Sequence, residues 1–283
     1  MNQSQPAAAV PSRGGVAFAP GCGVVVVGHG TADATGAAET AEVAALAAAL
    51  VPGVPVELGF LEVIEPSIAV AVARLAARGC RELVAAPLLL FAAGHARRDV
   101  PEALESAVAA AGLTARQAEP LGLHDAIVEL SARRRDEALR RHVDVPAGDT
   151  VFVVLGRGAS DPGALGRLRE FAEASLAAGD WRPHRVEYGF AAAARPTLDE
   201  ALAAAAAGRP RRVVVQPHLL FHGHVEEQVS AAVARARAAW PGIDWVAVGR
   251  LGPDPQVARA LVDRAREVAA GPNEARTGLA RQA

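Results

Sequence analysis

The sequence predicts an α/β protein made of two tandem homologous doubly wound parallel-sheet domains facing a central cleft. Two observations carry that expectation. Short, wholly apolar runs alternate with longer helix-forming segments closed by Gly or Pro, the pattern of a parallel sheet with helices on both faces. The whole order of segments then recurs once at a nearly constant offset. The 283 residues, 51% of them apolar, suffice for two domains of ordinary size. Aromatic residues make up only 4% and Ala dominates, so the core is expected to be aliphatic and helix-rich.

In the first copy Val24–Val27 reads as a strand buried on both faces. Ala37–Leu50 is a run of helix formers that stops before Pro52 and Gly53. Val54–Leu61 is the second strand. Pro66 suits the first turn of a helix over Ser67–Ala77, which Gly79 ends. Glu82–Leu90 is the third strand, and Asp99 and Pro101 open a helix to Ala111 that Gly112 closes. A weaker strand over Ala115–Leu121 and a helix over Asp125–Arg135 complete the unit.

The second copy repeats this order. VFVVLGRG at Val151–Gly158 answers VVVVGHG at Val24–Gly30, with Gly30 and Gly158 128 positions apart. Gly59 and Gly189, Pro66 and Pro196, Pro87 and Pro217, and Phe91 and Phe221 are each 130 apart. Gly94 and Gly223 differ by 129, and LGLHDAIVEL from Leu121 answers LGPDPQVARAL from Leu251. The expected domains span 21–145 and 150–270, joined by a linker at Arg141–Thr150. Segments 1–20 and 271–283 lack periodicity and read as disordered tails.

Composition excludes several classes. With 29 basic against 31 acidic residues, no overall positive charge draws the chain to nucleic acid. Every basic residue is Arg, which removes Schiff-base lysine chemistry and any P-loop lysine. Cys22 and Cys80 are too few for a cysteine zinc site, an iron–sulfur cluster or a disulfide framework. The longest apolar run, Leu83 to Gly94, is too short to span a bilayer and contains Pro87. The N-terminus lacks a basic start followed by a long apolar stretch. A soluble cytoplasmic protein, not membrane-bound, is expected.

Ligands of open parallel sheets bind beyond the carboxyl ends of the strands. In the first copy those ends carry Gly28-His29-Gly30, then Leu61-Glu62 with Glu65 nearby, then Gly94-His95. Two imidazoles and a carboxylate that converge there suit a borderline divalent metal such as Fe2+, Co2+ or Ni2+ and leave a coordination position open. Each has an ordinary structural role as well: a His can serve its turn, Glu62 can be a solvated loop acid, and Glu65 can complement a helix dipole. The copies differ at these positions. His29 is answered by Arg157 and Glu62 by Ala192, whereas His95 is answered by His224. The asymmetry points to one active half and one adapted half, with Arg157 able to grip a carboxylate bidentately. Arg97 and Arg98 are either carboxylate contacts or a solvated helix start. His218, His222 and His224 with Glu226 and Glu227 form a candidate second metal cluster, unless His218 faces a helix. His124, His142 and His184 read as surface residues.

These residues resemble the class II chelatase family, in particular the long two-domain sirohydrochlorin chelatases of the CbiX/SirB type. The matching pieces are VVVGHGTAD, GFLEVIEPSI and PLLLFAAGHARRDVP in the first copy and GRGASDP and QPHLLFHGH in the second. The resemblance spans roughly residues 22–268. It implies chelatase-like domains that insert Fe2+ or Co2+ into sirohydrochlorin on the way to siroheme or cobalamin. His29 and His95 would then be the metal-binding and proton-accepting pair, Glu62 the strand-end acid, and Arg157, Arg97, Arg98 and Ser160 substrate contacts. Many relatives have Arg-Asp-Pro where this chain has Ala32-Asp33-Ala34. The metal would be a substrate, with no tightly bound cofactor. One chain carries both copies, so either a monomer or a homodimer fits.

The chemistry agrees with the residues. Metallating a tetrapyrrole releases two pyrrole protons, and a neutral imidazole can both bind M2+ weakly and accept a proton. Rival readings are weaker. A histidine phosphatase needs Arg before its His, where this chain has Gly28; a dinucleotide site needs a third glycine that is missing after Gly30. A non-catalytic metal or tetrapyrrole carrier on the same fold is the alternative, separated from an enzyme by turnover.

Overall fold

The structure, a computed structural model, describes residues 17–91, 98–161 and 163–270. His95, Arg97 and the segment 271–283 lie outside the described residues. In the first repeat the strands are β1 (Cys22–Gly28), β2 (Val56–Phe60), β3 (Glu82–Pro87) and β4 (Thr114–Gln117). Its helices are α1 (Ala34–Leu50), α2 (Ile68–Ala77), α3 (Val100–Ala111) and α4 (Asp125–Leu139). The second repeat follows with β5 (Thr150–Gly156), α5 (Ala164–Ala177), β6 (Arg185–Phe190), α6 (Leu198–Ala207), β7 (Arg212–Pro217), α7 (His224–Ala239), β8 (Asp244–Ala247) and α8 (Pro255–Ala269).

Two four-stranded parallel sheets result, ordered β2-β1-β3-β4 and β6-β5-β7-β8. The register repeats as well. Val24 pairs with Val56 and Val84 in the first sheet, as Phe152 pairs with Val186 and Val214 in the second. Alternate residues of a strand face opposite sides. Val24 and Val26 therefore join one core, while Val25 and Val27 join another beneath α2 and α3. Both faces are covered, which is why β1 and β5 are buried throughout and, Thr150 apart, apolar.

Local chemistry sets the helix starts. Asp33 caps α1, its Oδ1 accepting from the Gly36 amide at 2.7 Å. Ser67 caps α2, so Pro66 precedes the helix and does not stand in its first turn; the Glu65–Pro66 and Arg195–Pro196 bonds are both cis. Thr197 and Glu200 form a reciprocal capping box on α6. The third strand is shorter than the expected Glu82–Leu90: its register with β1 ends at the Val27–Pro87 pair, after which the Leu88 amide still donates to the Val27 carbonyl at 2.9 Å. Leu88–Phe91 instead run on beyond the sheet edge.

The last helix of each repeat crosses to the other repeat's sheet. Val257, Ala258, Leu261 and Ala265 of α8 pack with Val24, Val26 and Val84 of the first sheet. Helix α4 lies between the halves. Its Ala126, Ile127 and Leu130 join that same core, while Ala138 and Leu139 pack on Phe152, Val154 and Val246 of the second sheet. Arg135, fully buried on α4, sets its guanidinium over the rings of Trp181 at 5.3 Å and Phe152 at 5.9 Å. It also donates to the Ser175 carbonyl at 3.3 Å. Asp254 at the start of α8 accepts from Arg133 of α4 at 2.7 Å.

Two histidines expected at the surface are tied down. His124 caps α4 through Nδ1, accepting from the Ala126 amide at 3.2 Å. His142 Nδ1 contacts Asp244 Oδ2 at 3.1 Å, and that carboxylate also accepts from buried Arg212 at 2.8 Å. His184 is exposed, as expected. Phe18, within the expected N-terminal tail, packs against the first core. No helix among the described residues is long and apolar enough to cross a membrane.

Candidate functional site

The carboxyl edges of both sheets open onto one cavity of about 440 Å³. That size is in the range of small-molecule sites. Leu88–Phe91 from the first repeat and Leu219–Phe221 from the second give it apolar walls. Its polar lining includes His29, Arg157, Arg167, His222, His224 and Glu226.

Backbone geometry places the His29–Glu62 pair. Past the end of β2, the Leu61 amide donates to the Gly28 carbonyl at 2.9 Å and the Glu62 amide to the His29 carbonyl at 3.1 Å. These bonds extend the β1–β2 ladder and bring the two side chains together, with His29 Nε2 3.2 Å from Glu62 Oε1. His29 Nδ1 lies 3.3 Å from the Gly30 carbonyl oxygen. Gly30 turns the chain at φ +98°, and a Cβ there would stand 1.8 Å from the Glu62 carbonyl oxygen. Only glycine fits such an approach. Two donors each about 2.0–2.2 Å from one ion, at near-right angles, are roughly 3 Å apart, so this pair can bind one divalent metal side by side.

The second repeat copies the backbone and changes the chemistry. The Ala191 and Ala192 amides donate to the Gly156 and Arg157 carbonyls at 3.0 and 2.9 Å. Gly158 has φ +87°, and a Cβ on it would lie 1.9 Å from the Ala192 carbonyl oxygen. Arg157 and Ala192 therefore occupy the exact backbone counterparts of His29 and Glu62, across the cleft. Arg157 is exposed and lines the cavity.

Of the remaining candidates, Phe91 brings the chain into the cavity four residues before His95, which is itself outside the described residues. Arg98 and Ser160 are exposed, and neither is among the described residues lining the cavity. The three second-repeat histidines are held apart. His218 is buried, its ring 4.0 Å from that of Phe171 and 4.9 Å from that of Phe91; burial pushes its pKa down to about 3. His222 Nδ1 pairs with Asp33 Oδ1 at 3.0 Å, and this hydrogen bond raises its pKa. His224 is exposed, beside Gln228 at 3.0 Å. Among the described residues no three His, Cys, Asp or Glu gather in a metal-holding group.

Sequence reasoning missed Arg167. It lines the cavity from α5, pairs with Asp161 at 2.5 Å and lies 6.0 Å over the Phe91 ring. A signal was present: at the offset of 128 that aligns His29 with Arg157, Glu39 of α1 aligns with Arg167. A first-repeat residue answered by an arginine is the same asymmetry that singles out His29 and Arg157.

Known proteins share this chain's sequence pattern and fold. The CbiX family model matches residues 23–138 and 151–268. The chain is 26% identical to the sirohydrochlorin cobaltochelatase of Priestia megaterium, over 86% of this chain and 79% of that one. It is also 26% identical to the sirohydrochlorin ferrochelatase of Bacillus subtilis, over 77% of this chain and 80% of the relative. Among solved structures, SirB from Bacillus subtilis with Fe3+ is 25% identical with a TM-score of 0.74, covering 88% of this chain and 96% of that one.

Proposed function

The chain belongs to the CbiX family, and on that premise we propose that it is a sirohydrochlorin chelatase that inserts Fe2+ or Co2+ into the macrocycle, with His29, His95 and Glu62 handling metal and protons. The observation that carries this reading is the His29–Glu62 pair, 3.2 Å apart at the carboxyl edge of the first sheet, with His29 lining an apolar-walled cleft.

The reaction exchanges one M2+ for two pyrrole N–H protons. In the neutral imidazole one nitrogen has a free lone pair, which can bind the incoming ion or accept one of those protons. Glu62, half in solvent at 49% side-chain exposure, can pass a proton to water. The ion must leave for the macrocycle, so a small protein ligand set is an advantage over a closed four-ligand site. The apolar walls suit the flat faces of a tetrapyrrole. Its peripheral carboxylates call for guanidinium, which Arg157 and Arg167 supply; Arg97, Arg98 and Ser160 remain candidates for the same task.

Cys22 and Cys80 are the chain's two cysteines and belong to separate core clusters on opposite faces of the first sheet. The reading therefore involves no iron–sulfur cluster, and free buried thiols fit the reducing cytoplasm. One chain furnishes both walls of the cleft, so a monomer suffices.

Anaerobic absorbance of sirohydrochlorin with catalytic amounts of the protein and Fe2+, Co2+ or Ni2+ tests the reading. Multiple turnovers above the protein-free rate are expected, and the metals rank themselves. Stoichiometric binding without turnover would make the protein a carrier, and no effect with any metal would overturn both.

A further inference from the structure

One rim of the cleft is bridged by a chain of polar contacts that the proposed reaction does not use. Arg250, in the loop after β8, donates to Glu226 Oε1 and Oε2 of α7 at 2.7 and 2.8 Å and to Glu39 Oε1 of α1. The other oxygen of Glu39 accepts from the His222 backbone amide at 2.8 Å. Asp33, already capping α1, accepts from His222 Nδ1. The first repeat thus contributes Asp33 and Glu39, and the second contributes His222, Glu226 and Arg250. The Arg250 and Glu39 side chains retain only 23% and 13% exposure, so these charged hydrogen bonds are largely shielded from water.

Helix α1 also approaches the second repeat too closely for a side chain at one point. A Cβ on Gly36 would stand 2.5 Å from the His222 carbonyl oxygen. Gly36 has an ordinary helical backbone, so helix geometry itself does not demand glycine there. At the offset of 128 its counterpart in α5 is Ala164. What excludes a methyl in α1 is the facing loop.

We propose that Gly36 and Arg250 are positioning residues: they set the gap between the repeats at this rim and hold the His29–Asp33 loop against the wall that receives the macrocycle. The loop leaves β1 at Gly28 and is fastened again at Asp33, which both Gly36 and His222 hold. Widening the gap therefore releases the loop that carries His29. The functional half of this inference rests on the chelatase reading; the structural half does not.

Gly36→Ala and Arg250→Met test it, with Arg250→Lys as the conservative variant. Alanine is the better helix former, so a purely local role for Gly36 predicts unchanged or improved helix stability and an unchanged KM. Positioning predicts faster amide exchange at His222 and across residues 29–33 in both variants, by about tenfold or more. It also predicts a KM for sirohydrochlorin raised by about tenfold in Gly36→Ala and Arg250→Met, with partial recovery in Arg250→Lys. Gly36→Ala acts by inserting bulk and Arg250→Met by removing a tie, so a folding failure in one leaves the other to decide. Wild-type exchange at these amides overturns the proposal, and so does faster exchange with a wild-type KM. If the unmodified chain turns over no sirohydrochlorin, the chelatase reading falls, and exchange alone decides whether the rim contacts hold the loop.

Discussion

Glu62 Oε1 stands 3.2 Å from His29 Nε2, and the main chain puts it there: the Glu62 amide is bonded to the His29 carbonyl, and the Glu62 carbonyl presses on Gly30. The same frame in the second repeat carries Arg157 and Ala192. The scaffold thus fixes where two side chains meet and leaves their chemistry free to diverge. His29→Ala should therefore keep the fold, since the frame is backbone-made, while turnover falls by roughly 10²-fold or more. Circular dichroism and the sirohydrochlorin assay check this together; undiminished turnover would remove His29 from the reaction. Glu62→Gln should lower kcat by less, because water can accept the relayed proton.

Arg157 and His29 line the cavity from opposite repeats, and among the described residues no carboxylate of its own repeat pairs with Arg157, because Ala192 stands where Glu62 would be. Its proposed work is ground-state binding of a substrate carboxylate. Arg157→Ala should raise KM for sirohydrochlorin by about tenfold with a smaller effect on kcat, the signature of lost uniform binding. An unchanged KM would assign the residue elsewhere.

Gly30→Ala tests the frame itself. The left-handed backbone alone costs a β-carbon about 1–3 kcal/mol, and the clash at 1.8 Å with a carbonyl oxygen adds to that. Urea unfolding should show a loss of at least that order, and Gly158→Ala should behave alike because its contact is 1.9 Å. A change under about 0.5 kcal/mol at either position would mean the turn relaxes more easily than its geometry implies.

His218 gives the fold an acid sensitivity. Its folded pKa is lowered to about 3 by burial, against an ordinary value near 6.5. Between those values the unfolded chain binds a proton that the folded chain refuses. Its contribution to stability is full above about pH 6.5 and falls with decreasing pH by about 1.4 kcal/mol per unit. The aligned residue of the first repeat is Leu88, itself buried. His218→Leu should flatten the stability profile between pH 6.5 and 4 and leave pH 7.5 nearly unchanged. A variant with the wild-type acid slope would show that other groups carry it.

The Asp33–His222 pair has the opposite dependence on its alkaline side. The Asp33 pKa is lowered, first by the Gly36 amide and then by His222, and the His222 pKa is raised by Asp33. The contribution of Asp33 is present above its unfolded pKa and lost as pH falls through the folded one. That of His222 is full below its unfolded pKa and lost as pH rises through its folded one. The pair is strongest between the carboxylate and imidazole ranges. Exchange of the His222 amide should therefore speed up as pH rises past the imidazole range, beyond the intrinsic rise seen in a peptide; an intrinsic slope alone would detach the pair from the rim.

The repeat, the strands and the strand-end residues His29, Glu62 and Arg157 were legible in the sequence because local signals encode them: apolar runs, Gly turns and a constant offset. His222 was visible as a His in a cluster, but its real partner, Asp33, lies 189 positions away, and no local pattern links the two. Arg250 was hidden for the same reason, its partner Glu39 lying 211 positions away. The helix exchange was illegible on different grounds. An amphipathic helix at the end of each repeat needs an apolar face on a sheet, and its sequence reads identically whichever sheet provides that face.

That exchange yields a prediction about folding units. A chain of residues 1–145 contains the whole first repeat, yet it lacks α8, whose Val257, Ala258, Leu261 and Ala265 cover Val24, Val26 and Val84. It also exposes the side of α4 that carries Arg135, buried in the full chain against Trp181 and Phe152. Uncovering an apolar sheet face loses roughly 1.5–3 kcal/mol for each large side chain exposed, comparable in sum to the stability of a small domain. The isolated first repeat should therefore bind a hydrophobic dye and lack a cooperative thermal transition. Mixing it with residues 146–283 should restore one, since that piece brings α8 and the sheet on which α4 docks. Cooperative unfolding of residues 1–145 alone would show that α8 is an accessory to the first sheet and that each repeat is a folding unit by itself.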